Sequence, residues 1–185
     1  MKKIFILSIA VFSFFVFITE KSVAQTDKGN FMVGSSIANL NFDEDYSSIA
    51  LSPTVGYFVI DNLVVGLTPS IGYTSSKAVI PGDTYKTTTL GIGPFARYYF
   101  GSGSVKPLVH ADYSYLHMKN RNNISGNEWQ STSSYSNVKL GAGVAYFINN
   151  YVSVDGIVSY NRIFLGSGND VGSVKISFGF QIFLD

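Results

Sequence analysis

His110, Asp112 and Ser114 recur at every second position of the stretch VHADYSYLH, and His117 follows three residues on. A hydroxyl, an imidazole and a carboxylate are the parts of nucleophilic acyl transfer, in which the imidazole takes the hydroxyl proton. The spacing works against that chemistry. In an extended chain positions 110, 112 and 114 share a face, but each residue rises about 3.3 Å. Neighbours on that face are expected to lie too far apart for a close nucleophile–base contact, and His117 falls on the opposite face. The expectation is no catalytic site.

Four more ionisable residues, Arg97, Lys139, Asp155 and Lys175, fall on the same parity as His110 and Asp112 within alternating stretches. If that parity faces a narrow interior, its charges must be paired or hydrogen-bonded, because an unpaired buried charge is costly. Two Asp set against one Arg and two Lys suit a network of ion pairs closing the interior. An ion path is the functional alternative.

Other motifs carry less. The glycines of GIGPFA at 91–96 resemble a dinucleotide fingerprint but open no helix. GSGSVK at 101–106 lacks the spacing of a phosphate-binding loop. Asp43-Glu44-Asp45 reads as a solvated loop in preference to a Ca²⁺ site. Without cysteine there is neither a disulfide framework nor a thiolate metal site. No metal or cofactor is expected. The single tryptophan, Trp129, lies in the polar stretch 119–134 (KNRNNISGNEWQSTSS), a candidate contact for an extracellular partner.

The elements that position these residues are strands. In LSPTVGYFVIDNLVVGLTPSIGY (51–73) the odd positions carry Leu, Val, Ile, Pro and Tyr, and most even positions carry Gly, Ser and Thr. The same period of two runs through 88–100, 109–115, 138–148, 152–161 and 174–184. The dipeptide Tyr-Phe occurs at 57–58, 99–100 and 146–147, each time just before a turn. Three hairpins give six strands, and one before them (about 30–41) and one after (about 171–184) make eight. The first alternates poorly, which suggests a bulge or bend. The remaining connections, 43–48, 75–86, 119–134 and 163–170, are polar and mostly longer. Alternating short turns and long loops is the layout of a transmembrane β-barrel.

The chain opens with Met1-Lys2-Lys3, a continuous apolar run from Ile4 to Ile18, and Ser22-Val23-Ala24 before Gln25. That is the order of a secretory signal peptide, so residues 1–24 are read as a signal peptide and 25–185 as one barrel domain. Cleavage takes Lys2, Lys3, Lys21 and Glu20 from the 13 basic and 12 acidic residues, leaving 10 against 11. A nearly neutral chain has no basic footprint for nucleic acid.

Alternation alone does not separate a membrane barrel from a soluble, lipocalin-like one whose apolar face points inward. The opposite parity does. Facing water it would be rich in Lys, Glu, Asp and Arg, whereas it is mostly Gly, Ser, Thr, Asn and Ala, as a narrow eight-stranded lumen requires. Charged residues are only 14% of the chain and aromatics 15%. Tyr57, Tyr98, Phe100 and Tyr146 fall at the turn ends, and Tyr73, Tyr113, Tyr115, Tyr135 and Tyr160 toward the loop ends, as two interfacial girdles would. The apolar parity is therefore expected to face lipid. Pro53, Pro69 and Pro94 fall on it, each lacking a ladder donor, and are expected at bulges or open rungs.

The stretch LSPTVGYFVIDNLVVGL, with Pro-x-x-Gly-Tyr-Phe followed by Asp-Asn-Leu, resembles a hairpin of the small OmpA/OmpX-like outer-membrane β-barrels and their Bacteroidetes relatives. In pattern the resemblance covers about residues 29–185. It implies an all-β, eight-stranded antiparallel up-and-down barrel in the outer membrane, folded by the assembly machinery and contacting outer-membrane lipid and lipopolysaccharide. Many members end in Phe, whereas here Phe183 is followed by Leu184 and Asp185, so Phe180 or Phe183 would serve as the signal in a shifted frame. Similarity to OmpA is expected in the barrel alone. The function expected is non-enzymatic, structural or surface-interactive through the loops. A narrow pore is the alternative and a lipid-modifying enzyme the third reading.

Overall fold

The computed structural model describes residues 26–37, 41–42, 46–77, 83–124, 127–165 and 170–185. The expected signal peptide and Asp43-Glu44-Asp45 lie outside them. Among the described residues there are nine strand segments: β1 (Phe31–Ile37), β2 (Asn41–Phe42), β3 (Tyr46–Ile60), β4 (Leu63–Lys77), β5 (Thr84–Tyr99), β6 (Val105–Ile124), β7 (Asn127–Phe147), β8 (Val152–Phe164) and β9 (Val171–Leu184). All pair antiparallel with their neighbours, and β1 pairs with both β9 and β3, which closes the sheet into a ring. Both β1 and β2 pair with β3, their registers differing by one residue (Ile37 opposite Leu51, Asn41 opposite Ser48). They share one place in the ring, so it has eight positions, and the poor alternation of the first strand has its cause in that slip.

Stepping sideways from Phe31 through Tyr57, Val65, Ala96, Ala111, Leu140, Tyr160 and Val174 leads back to the first strand about ten residues further on. That stagger tilts the strands by roughly 40° and sets a lumen only as wide as its side chains. The Ser/Thr/Gly parity faces this lumen: Thr54, Thr68, Ser114 and Ser153 are buried, as are Arg97, His110, Asp112 and Asp155. The Leu/Val/Ile parity faces outward, with Leu67, Leu90, Ile92 and Val158 all exposed. An exposed apolar belt of this size has lipid, not water, as its solvent.

Two expectations are corrected. Tyr135 is opposite Leu116 and lines the interior, so it does not belong to the outer girdle. Residues 119–124 and 127–134, expected within a long loop, are strand. They continue β6 and β7 as a paired hairpin, with Lys119 opposite Thr132, Asn122 opposite Trp129 and Ile124 opposite Asn127. Above the membrane both faces of a ribbon are wet, so the sequence there loses its alternation while the backbone ladder persists.

The short turns sit at one end of the ring, periplasmic in barrels of this layout. In the Asp61–Asn62 turn, Asn62 has a φ of 66°, a left-handed conformation that Asn tolerates better than most residues. Residues 26–30 fold against this turn. The Asn62 amide donates to the Thr26 carbonyl at 2.6 Å, and the Lys28 amide donates to Asp61 at 2.9 Å.

Candidate functional site: a stoppered lumen and its vestibule

The lower end of the lumen is filled by rings. Phe58, Tyr99, Phe147 and Phe183 come from four different strands, each next to or near a strand end, and all are at most 1% exposed. Their centroids lie between 5.0 Å (Phe147–Phe183) and 6.3 Å (Phe58–Tyr99), in tilted or edge-on pairs. Met32, Val64 and Leu108 complete the stopper. The Tyr-Phe echo contributes twice through its second member, Phe58 and Phe147. At 98–100 the frame is shifted, so Tyr99 enters the stopper while Phe100 lies outside at 46% exposure. Phe183, a candidate assembly residue, is the fourth ring.

Directly above, Arg97 Nη1 donates to Asp155 Oδ2 at 2.6 Å, both side chains being almost wholly buried. The carboxylate also accepts from Gln181 Nε2 at 3.2 Å, and Gln181 Oε1 accepts from Thr54. Arg97 further donates to the Tyr99 hydroxyl at 3.2 Å, which ties the charge to the stopper. His110 stacks on Phe95 at 5.7 Å, with its Nδ1 3.5 Å from Arg97 Nε. A bidentate-capable guanidinium with several acceptors suits a buried, fully bonded position.

Further up their strands, Lys139 Nζ stands 3.9 Å from Asp112 Oδ1, and Ser114 Oγ donates to the same oxygen at 2.6 Å. The Ser114–Asp112 contact corrects the expectation that residues two apart on this face would not meet: side chains lean along the strand and close the gap. His110 is not part of that contact, being held against Phe95 and Arg97 on the other side of Asp112. His117 lies outside the barrel, bonded to Ser134 at 3.0 Å. The serine, carboxylate and imidazole therefore do not converge.

Above this layer the lumen opens into a cup of about 260 Å³, lined by Ser, Thr and Asn side chains with Asp112, Lys139 and Lys175. Lys175 is exposed in the cup and pairs with no carboxylate among the described residues. The cup is blind, since the Arg97–Asp155 layer and the stopper lie beneath it.

Lys106 was missed among the interior charges. It is 3% exposed, its Nζ donates to Thr26 Oγ1 at 2.7 Å, and it lies 5.3 Å from the centre of the Phe147 ring. The signal was its parity, shared with His110 and Asp112 once the alternation is carried back past Val109. Trp129, at 67% exposure, stands on the β6–β7 hairpin and not on a loop.

A closed ring of eight positions, apolar outside and polar within, defines the class: an integral β-barrel membrane protein. The sequence matches the family model described as "Outer membrane protein beta-barrel domain" over residues 9–181, and the chain belongs to that family. It is an outer-membrane protein. Among solved structures it is similar to a major outer membrane protein of Thermus thermophilus, at 12% identity and a TM-score of 0.54, covering 84% of this chain and 99% of the other. It is also similar to the attachment invasion locus protein Ail of Yersinia pestis, at 16% identity and a TM-score of 0.49, covering 85% and 99%. A third is the N-terminal barrel domain of OprF from Pseudomonas aeruginosa, at 16% identity and a TM-score of 0.47, covering 85% and 98%. No curated protein matches the sequence.

Proposed function

We propose that the protein is a non-enzymatic outer-membrane barrel that acts through what it presents outside the cell and not through what passes along its axis. The observation that carries this reading is the β6–β7 hairpin. These strands run for 20 and 21 residues, where about 9–11 cross the hydrocarbon. The surplus is a two-stranded ribbon that carries Trp129 well clear of the wall. A rigid scaffold holding such a ribbon is a recognition device, and an exposed tryptophan is a common anchor for a partner.

The stopper and the Arg97–Asp155 layer favour this reading over a pore. The separation of His110 from Ser114 favours it over a hydrolase. The test joins Arg121 to Gln130, which stand directly opposite, through Asn-Gly, a two-residue turn that suits opposed residues, and returns the short form to cells lacking the protein. The expected result is normal outer-membrane insertion with heat-modifiable mobility but no recovery of detergent resistance or surface attachment. Full recovery by the short form, single-channel conductance above leak, or turnover of lipid A or phospholipid by the refolded protein would each overturn the reading.

A further inference from the structure

On the outer wall, where the apolar belt ends, the barrel carries a cleft of about 490 Å³. Its sides are Lys86, Lys119 and Arg121, with His117 beside them and Tyr73 and Leu90 along the lower edge. All share the parity of the lipid-facing residues. Lys86 stands directly opposite Arg121, and Lys119, two residues before Arg121, stands opposite Thr88.

Like charges placed opposite each other destabilise a sheet, yet three cations meet here. None of the three forms an ion pair among the described residues, whereas Arg97, Lys139 and Arg162 each do. Glu128, on β7 opposite Asn123, forms none either. No carboxylate among the described residues pairs with this cluster, which leaves its three cations open to an anion from outside the chain.

The height of the cleft identifies that anion. Immediately below it the wall is apolar and exposed, with Tyr73 at 42%, Leu90 at 54% and Tyr115 at 54%. Lys and Arg stems at such a boundary lie along the apolar surface and hold their charges at headgroup level. We propose that the cleft binds the phosphate groups of a phosphorylated lipid of the outer leaflet, with its acyl chains running down the wall past Leu90 and Tyr73. Arg121 supplies a forked donor for two phosphate oxygens, and Lys86 and Lys119 supply point charges. A soluble polyanion would not need a site that continues into the lipid-facing belt. This site is independent of any role of the hairpin tip.

The experiment is native mass spectrometry of the refolded full chain in detergent with bisphosphorylated lipid A. Wild-type protein is expected to retain the lipid, and Lys86→Gln/Lys119→Gln/Arg121→Gln to weaken retention by at least about ten-fold, the scale of one lost charge-assisted bond. Relief of the repulsion leaves the triple variant's heat-modifiable mobility intact, and Arg121→Gln alone gives a smaller loss in the same direction. Arg162→Gln, which removes an outward cation outside the cleft, is expected to retain lipid as wild type does. Equal retention by the triple variant would sink the proposal, as would equal retention of lipid A stripped of its phosphates. Equal thermal stabilisation by inorganic phosphate at matched concentration would reassign the site to a free anion, and full displacement of lipid by heparin would reassign it to a soluble polyanion. Either result overturns the lipid site.

Discussion

Pro53 and Pro69 face each other across β3 and β4. The rungs of that ladder pass from Leu51–Ile71 to Val55–Leu67 with the register unchanged, and the two prolines stand at the centre of the gap. On their other sides both strands remain paired, Pro53 with Ser35 and Pro69 with Ile92. The two missing N–H groups thus fall on one rung of one ladder, and the neighbouring ladders lose nothing. Pro94 repeats the device singly: the β5–β6 rungs pass from Ile92–Tyr115 to Phe95–Asp112 around it.

Restoring the donors is therefore expected to stabilise the barrel. Pro53→Val/Pro69→Val places two N–H groups opposite two carbonyls, each bond being worth about 1 kcal/mol net and more in lipid. Part of this is offset by the extra freedom the unfolded chain regains without proline. The double variant should unfold from vesicles at higher urea than wild type, and Pro53→Val alone should gain less than half as much. A lower midpoint for the double variant would mean that the prolines satisfy some constraint other than the shared rung.

The buried Arg97–Asp155 pair predicts a larger loss from one substitution than from two. Asp155→Ala leaves a guanidinium uncompensated in the lumen and should cost about 3–5 kcal/mol. Arg97→Met/Asp155→Ala removes both charges and should recover most of that loss. A double-mutant cycle on urea unfolding measures the coupling. Additive losses would mean that the pair does not act as a unit.

Gly93 lies in the gap beside Pro94, where β5 and β6 press together. A Cβ at this position would run into the carbonyl oxygen of Tyr113, and it would sit 2.6 Å from the Cα of Ser114. No side-chain rotation relieves a clash with backbone, so Gly93→Ala should lose more than about 3 kcal/mol or fail to insert. Gly72 is the control: the nearest atom to its Cβ would be the Thr89 side chain at 3.4 Å, ordinary contact. Gly72→Ala should fold with wild-type mobility. Boiled and unboiled gel migration separates the two.

What the sequence revealed and concealed follows from where each residue sits in the bilayer. Between Leu63 and Tyr73 one face meets lipid and the other a narrow lumen, so Leu, Val and Ile must alternate with Gly, Ser and Thr, and the register can be read directly. Near the turns the rule weakens, because an aromatic serves either a girdle or a stopper. Phe58 and Tyr99 belong to the stopper, and only their parity, shared with Thr54 and Arg97, distinguishes them from Tyr57 and Tyr98. Above the belt the rule vanishes. Asn122 and Trp129 are partners on a rung, but with water on both faces nothing in their types requires it. The pairing of Arg97 with Asp155, 58 residues apart, depends on the stagger of the whole ring, which no local pattern contains.

Trp129 offers a direct optical check on the hairpin, because it is the only tryptophan in the chain. It is 67% exposed and shares a rung with Asn122, seven residues beyond the exposed Tyr115 that marks the top of the belt on β6. In vesicles its emission should resemble that of hydrated indole, with full quenching by aqueous iodide and none by lipids brominated along the acyl chain. Shortening the hairpin to Arg121-Asn-Gly-Gln130 removes Trp129 and should abolish the tryptophan signal while leaving tyrosine emission from the barrel. A blue-shifted band quenched by the brominated lipid would place the indole in the membrane. That result would also withdraw the support Trp129 gives to a surface contact, because a ring buried among acyl chains presents nothing to an extracellular partner.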